Sequence, residues 1–143
     1  MRACAILAAF AAGSVLAAAD KPVPLAALDL KDVAVVPPKA GDPTKPTEIK
    51  TGDELAKSPL FGEGAADTLK KHVDFEKEKL VVFAWSGSGR DSVGGATLTE
   101  DKKPTARFIY TPGATRDLRR HLRVFVVPKD AVVKAEKNPR APK

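Results

Sequence analysis

Leu80-Val81-Val82-Phe83-Ala84-Trp85 is an apolar run with no polar interruption, closed by Ser86-Gly87-Ser88-Gly89. An amphipathic helix would break such a run every third or fourth residue, and a half-exposed strand would break it at every second. The stretch therefore reads as a central strand buried on both faces. Downstream, Leu122-Arg123-Val124-Phe125-Val126-Val127 is a second strand, ended by Pro128. Between the two, Thr105 to Thr111 alternates and places Ala106, Phe108 and Tyr110 on one side. Ala96 to Thr99 is a short strand, Glu100 to Pro104 a charged turn, and Ser86 to Gly95 a glycine- and serine-rich connection. Val132-Val133 adds a short edge.

Upstream the pattern is looser. Leu28 to Val36 offers a strand with weak alternation, stopped by Pro37-Pro38. Lys39 to Thr47 is a loop by composition. Glu48-Ile49-Lys50 is a short strand, and Thr51 with Glu54 makes a capping box for a helix running through Lys57, before Pro59. A second short helix, about Ala65 to His72, turns Leu69 inward and Lys70 and Lys71 outward. The fold class is α+β: a small, mostly antiparallel sheet with two short helices. Its core centres on Val82, Phe83, Trp85, Phe108, Tyr110, Leu122, Val124 and Val126.

The first nineteen residues have the layout of a secretory signal peptide: Arg2, an uncharged apolar run from Cys4 to Leu16, and Ala17-Ala18-Ala19 before Asp20. The expected cleavage lies between Ala19 and Asp20; an uncleaved N-terminal anchor is the alternative. The organisation is then a signal peptide over 1–19, an exposed N-terminal segment and Pro-rich linker over 20–47, a globular α+β domain over 48–133, and a basic disordered tail over 134–143. Cleavage leaves about 124 of the 143 residues, a one-domain length, and removes Cys4, the only cysteine. The mature chain is expected to be thiol-free, which excludes cysteine zinc sites and thiol nucleophiles. No later apolar run is long enough to span a bilayer, so no transmembrane segment is expected after cleavage. The expected location is outside the cytoplasm, periplasmic or secreted.

The net charge of +6 favours anionic partners such as an envelope protein, an acidic polymer or lipid headgroups. An aromatic content of 6% and a diffuse charge give no argument for nucleic acid. The densest charge is Arg116, Arg119, Arg120, His121 and Arg123. As a strand, Arg119, His121 and Arg123 share one face while Arg120, Leu122, Val124 and Val126 share the other; as a helical turn, the four arginines form one stripe. Either geometry concentrates guanidinium groups, which suit carboxylates and phosphates. Phe125 completes the candidate binding set, because aromatics accompany arginine at binding hot spots. A solvated face paired with Asp117 is the alternative.

Gly87, Ser88, Gly89 and Arg90 form a second candidate, a backbone nest for an anion. The same stretch is compared with a nucleophile elbow, which needs Gly-x-Ser-x-Gly; here Ser86 stands where the first glycine belongs. His72, His121, Asp91 and Asp117 are the residues that a Ser88-centred hydrolase would draw on. A flexible hairpin loop is the plain alternative. His72 and His121 lack a third ligand at any informative spacing, so neither a metal nor another cofactor is expected.

Val73-Asp74-Phe75, charged residues, then Leu80 to Phe83, with a glycine-rich turn and a closing Phe125-Val126-Val127-Pro128-Lys129, resembles the C-terminal domain of the PrcB family, subunits of bacterial surface protease complexes. Phe83 to Asp91 is similar to a phrase in small exported bacterial proteins of unassigned function. The resemblance covers roughly Ile49 to Lys129 and implies a non-catalytic, all-β or α+β module associated with cell-surface proteins. It brings no catalytic residues with it. The arginine-rich stretch Thr115 to Arg123 departs from that family's pattern. The functional expectation is an exported binding module that contacts an envelope or protease-complex protein, or an anionic polymer, through its basic surface. The alternatives are a small hydrolase using the Ser/Gly loop and a structural envelope protein.

Overall fold

The computed structural model describes residues 21–36 and 40–141. The expected leader and the Ala19–Asp20 junction lie outside the described residues. The elements in chain order are β1 (Val23–Leu25), β2 (Thr47–Ile49), α1 (Gly52–Lys57), α2 (Ala65–Leu69), β3 (Glu78–Ser88), β4 (Ser92–Glu100), β5 (Lys103–Thr111), β6 (Leu118–Pro128) and β7 (Val132–Lys137).

The strands form two sheets, where the sequence pointed to one. One has the order β1-β4-β5-β7 and the other β2-β3-β6. All pairings are antiparallel except β5 with β7, which is parallel. The class is roughly α+β but dominated by sheet. β3 explains the two sheets, because its two faces feed separate cores. Val81, Phe83 and Trp85 join Phe125, Val127, Phe108, Ala106 and Val93 between the sheets. Leu80 and Val82 join Leu122, Val124, Leu55, Leu69, Ile49 and Val73 under the helices. The apolar run is thus the middle layer of three.

The inter-sheet core is built on three rings. Phe83 lies 4.9 Å from Phe108 and 5.9 Å from Phe125, and Phe108 lies 4.9 Å from Phe125. Each such ring contributes roughly 1.5–3 kcal/mol by burial. Gly95 pairs with Phe108 across β4 and β5. A Cβ there would stand 2.6 Å from the Phe108 ring, so the ring lies directly over the bare backbone.

Several expectations shift. Leu28 to Val36 is an irregular strap, with a single bridge from Val35 to Phe61. Asp29 accepts the Lys31 N–H at 3.1 Å and Leu30 O accepts the Val33 N–H at 3.1 Å, so the chain turns where a strand would run on. The segment is still part of the domain: Val33 is buried, and Leu28, Leu30 and Val35 pack on the helix-side core. The expected boundary at residue 48 moves back accordingly. At the other end, β7 reaches Lys137 and Asn138 N–H donates to Tyr110 O at 2.8 Å, so no disordered tail begins at residue 134. Val133 and Ala135 face the core while Lys134 and Glu136 face out, and their carboxylate and cation partners are Glu100 and Arg107. Of the expected core, Tyr110 and Val126 are only partly buried.

The capping box forms with one change. Thr51 accepts from the Glu54 N–H at 3.2 Å, but Glu54 reaches back to Lys50 N–H at 2.7 Å, one residue before the cap. No helix among the described residues is long and apolar enough to cross a membrane.

Candidate functional site

The candidate residues gather at one end of the sandwich, where the β3–β4 turn meets the β5–β6 loop. The expected glycine- and serine-rich connection from Ser86 to Gly95 is mostly strand, closed as a hairpin with only residues 89–91 between β3 and β4. Asp91 holds it. Its carboxylate accepts from Trp85 Nε1 at 3.1 Å, Tyr110 Oη at 3.0 Å and Gly113 N–H at 2.7 Å. Three donors from three segments converge on one buried acidic group, which ties β3, β5 and the loop after β5 together. Burial first, and then the hydrogen bond and negative charge of Asp91, push the Tyr110 hydroxyl up to about 12.

Asp117 makes a second tie. It accepts from Gly89 N–H at 3.2 Å and from Arg119 Nε at 2.7 Å. Hydrogen bonding from Thr115, then from Arg119 and the Gly89 amide, outweighs desolvation and brings its carboxyl down to about 2.

The arginine stretch is a strand, and the alternation expected for a strand holds. Register pairs Trp85 with His121, Phe83 with Arg123 and Gly87 with Arg119 on one face, and Ser86 with Arg120 on the other. Arg116, Arg119, Arg120 and Arg123 are all exposed. Arg119 is tied to Asp117, but Arg116, Arg120 and Arg123 have no carboxylate in ion-pair range among the described residues. Leu118 stands among them at 80% exposure. Phe125 leaves the candidate set, because at 1% exposure it is a core ring. Its side faces the opposite sheet, so it offers nothing to a partner. His121 is half-buried: its ring stacks on Trp85 at 4.7 Å with 15° between planes, and Nε2 contacts Ser88 O at 2.8 Å.

The Ser/Gly loop is brought to the same end, yet its groups are used internally. Gly89 N–H donates to Asp117 O at 3.1 Å as well as to its carboxylate. Arg90 N–H is directed to Ser88 Oγ at 3.5 Å, and Gly87 and Ser88 belong to the β3–β6 ladder. The anions met by this turn are the chain's own Asp117 and Asp91. Ser88 Oγ pairs with Thr115 Oγ1 at 2.6 Å and accepts the Thr115 N–H at 3.1 Å. The imidazole of His121 addresses the Ser88 carbonyl, not its hydroxyl, so it is not placed to take the hydroxyl proton. Among the described residues no three His, Cys, Asp or Glu side chains group as metal ligands would.

Two hollows were not legible in the sequence. A crevice of about 330 Å³ lies between the strap and β6, lined by Leu28, Leu30, Val35, Arg120, Leu122 and Arg123 among others. A larger open groove of about 860 Å³ runs over the outer face of the four-stranded sheet, floored by Gly94, Ala96 and Ile109. The Gly94-Gly95-Ala96 run was its only sequence signal, because small residues on a strand leave the sheet face low. Of the two arginines that line it, Arg107 and Arg140, the first is already paired with Glu136 at 3.3 Å. Comparison with protein families, with curated proteins and with solved structures found no match to this chain.

Proposed function

We propose that the chain is an exported binding module that contacts an envelope or protease-complex protein, or an anionic polymer, through the arginine end of its sandwich. The observation that carries this reading is the set Arg116, Arg120 and Arg123, exposed and without carboxylate partners among the described residues. Three guanidinium groups within one strand and its entry repel one another, and an anionic partner relieves that repulsion. The leader-like start supports export, and the resemblance of residues 49–129 to the PrcB family's C-terminal domain supports a partner at the cell surface. The internal engagement of Ser88, His121 and Asp91 favours binding over hydrolysis.

Capture of partners from an envelope extract at low and high salt tests the reading. The wild-type chain is expected to recover specific partners at low salt and lose them at high salt. The triple variant R116E/R120E/R123E is expected to lose them at low salt, while K70E/K71E on the helix face keeps them. Equal recovery by the arginine variant, with the same salt sensitivity, would remove the basic surface from the account.

A further inference from the structure

We propose that the open edge of β6, from Leu118 to Leu122, docks an extended peptide segment of a partner protein, one with alternating carboxylate and apolar side chains, by adding it to the sheet as a strand. The inference rests on the basic-surface reading and names the partner's chemistry.

Along an antiparallel strand, the N–H and C=O of one residue point to the same side, and those of its neighbours to the other. Asp117 O accepts from Gly89 N–H at 3.1 Å, and Lys129 N–H donates to Lys77 O at 2.8 Å. Both bonds continue the β3–β6 ladder, so odd-numbered residues of β6 turn toward β3. Val124 O accepts from Leu28 N–H at 2.8 Å on the opposite side, so even-numbered residues turn away. β6 is the last strand of its sheet. Leu118, Arg120 and Leu122 therefore present backbone donors and acceptors to an edge that no strand covers among the described residues. A 3.5 Å contact from Arg123 Nη1 to Leu122 O is the one bond these groups make among the described residues. The strap shows that this edge accepts a backbone donor from a passing chain, since Leu28 already bonds to it at Val124, two residues beyond Leu122.

The side chains define what fits. A strand laid along this edge sets alternate side chains beside the two faces of β6. On one face it meets Arg119, His121 and Arg123, where carboxylates are favoured. On the other it meets exposed Leu118 and the crevice with Leu28, Leu30 and Leu122, where apolar groups are favoured, with the aliphatic stem of Arg120 between them and its charged head left to solvent or a carboxylate. The carboxylates nearby are taken: Asp117 by Arg119 at 2.7 Å, and Asp29, in the crevice, by Lys31 at 3.2 Å. A second copy is a poor occupant, because edge-to-edge pairing would bring like-charged arginines together.

The test is a labelled octapeptide of alternating glutamate and valine, titrated with the full-length chain at low salt and read by fluorescence anisotropy. Two partners of that peptide carry N-methyl groups on all odd or all even amides, and inorganic polyphosphate is the anion without a peptide backbone. A docked strand uses one of its edges. One methylated set is therefore expected to bind about tenfold or more weakly, and the other within about twofold of the parent. If both methylated sets bind like the parent and polyphosphate also binds, the edge inference falls while the basic surface stands. If neither peptide nor polyphosphate binds, both readings fall.

Discussion

At the scale of single residues, the arginine end is held in shape by two carboxylates, Asp91 buried and Asp117 exposed. Asp91 is 6% exposed and receives three hydrogen bonds. Asp91→Asn puts an amide N–H₂ where a donor already points, and it is expected to cost about 2–3 kcal/mol, read by urea denaturation. Tyr110→Phe removes one donor and is expected to cost about 1–2 kcal/mol. Tyr110 also sets an alkaline limit. Its hydroxyl sits above its ordinary value of 10.0, at about 12, so folding favours the neutral phenol. That contribution is fully present below pH 10 and is lost as the pH rises from 10 toward 12. Asp117 works in the opposite direction. Its carboxyl is lowered from 3.8 to about 2, so its contribution is present above about pH 4 and is lost as the pH falls toward 2. Denaturation midpoints across pH are expected to lose the alkaline decline in Tyr110→Phe and part of the acid decline in Asp117→Asn. A midpoint profile identical to wild type in either variant would show that the corresponding tie does not contribute.

At the scale of elements, the β4–β5 hairpin carries an avoidable strain. Its two-residue turn places Asp101 at φ 50° and Lys102 at φ 62°, both in the left-handed region. Glu100 pairs with Lys103 across it, so the turn matches the strand twist, with an aspartate that tolerates the conformation and a lysine that disfavours it. D101N/K102G supplies the residues this turn prefers and is expected to raise stability by about 0.5–1 kcal/mol, seen as a higher thermal midpoint. Gly95→Ala should do the reverse. Its methyl group would meet the Phe108 ring at 2.6 Å, and moving that ring disturbs the triple-phenylalanine core, at a cost of about 1–3 kcal/mol. The same elements show what the sequence conveys. β3, β5 and β6 were legible because their apolar residues are large and their ends carry proline or glycine. β4 was read short, since Ser92 to Ala96 is built of small residues that carry little hydrophobic pattern; its signal came from what lies over it, the Phe108 ring. The site was legible in charge and in strand alternation, which placed Arg119 and Arg123 on one face and Arg120 on the other. Phe125 was misassigned because alternation alone does not say which face meets the second sheet. The tie on Asp91 reaches Gly113, 22 positions away, and no local pattern encodes it.

At the scale of the whole molecule, the chain closes its sandwich with residues that look like a tail. After β6 the chain turns at Ala131, whose N–H donates to Pro128 O at 3.0 Å, and crosses to the other sheet. The crossing is pinned from inside. Lys79, 4% exposed, donates from Nζ to Ala131 O at 2.7 Å and to Glu48 Oε2 at 2.7 Å. β7 then lies parallel to β5 along six residue pairs, Thr105–Val132 to Tyr110–Lys137, and covers the edge beside Phe108. Its charged face looks basic and exposed in sequence, whereas Val133 and Ala135 behind it complete the inter-sheet core. A chain ending after Asp130 therefore loses a strand, its ladder and those two core contacts. The expected loss is at least about 3 kcal/mol, or a thermal midpoint lower by roughly 10 °C or more. A chain ending after Pro139 keeps β7 and the Asn138 to Tyr110 bond and is expected to melt with the full-length protein. Because Tyr110 also donates to Asp91, the loss of β7 should reach the arginine end, and the fluorescence of Trp85, the single tryptophan, reports it there. Equal melting of the two truncated chains would mean that β7 adds nothing to the sandwich, and that the domain is already closed at Asp130.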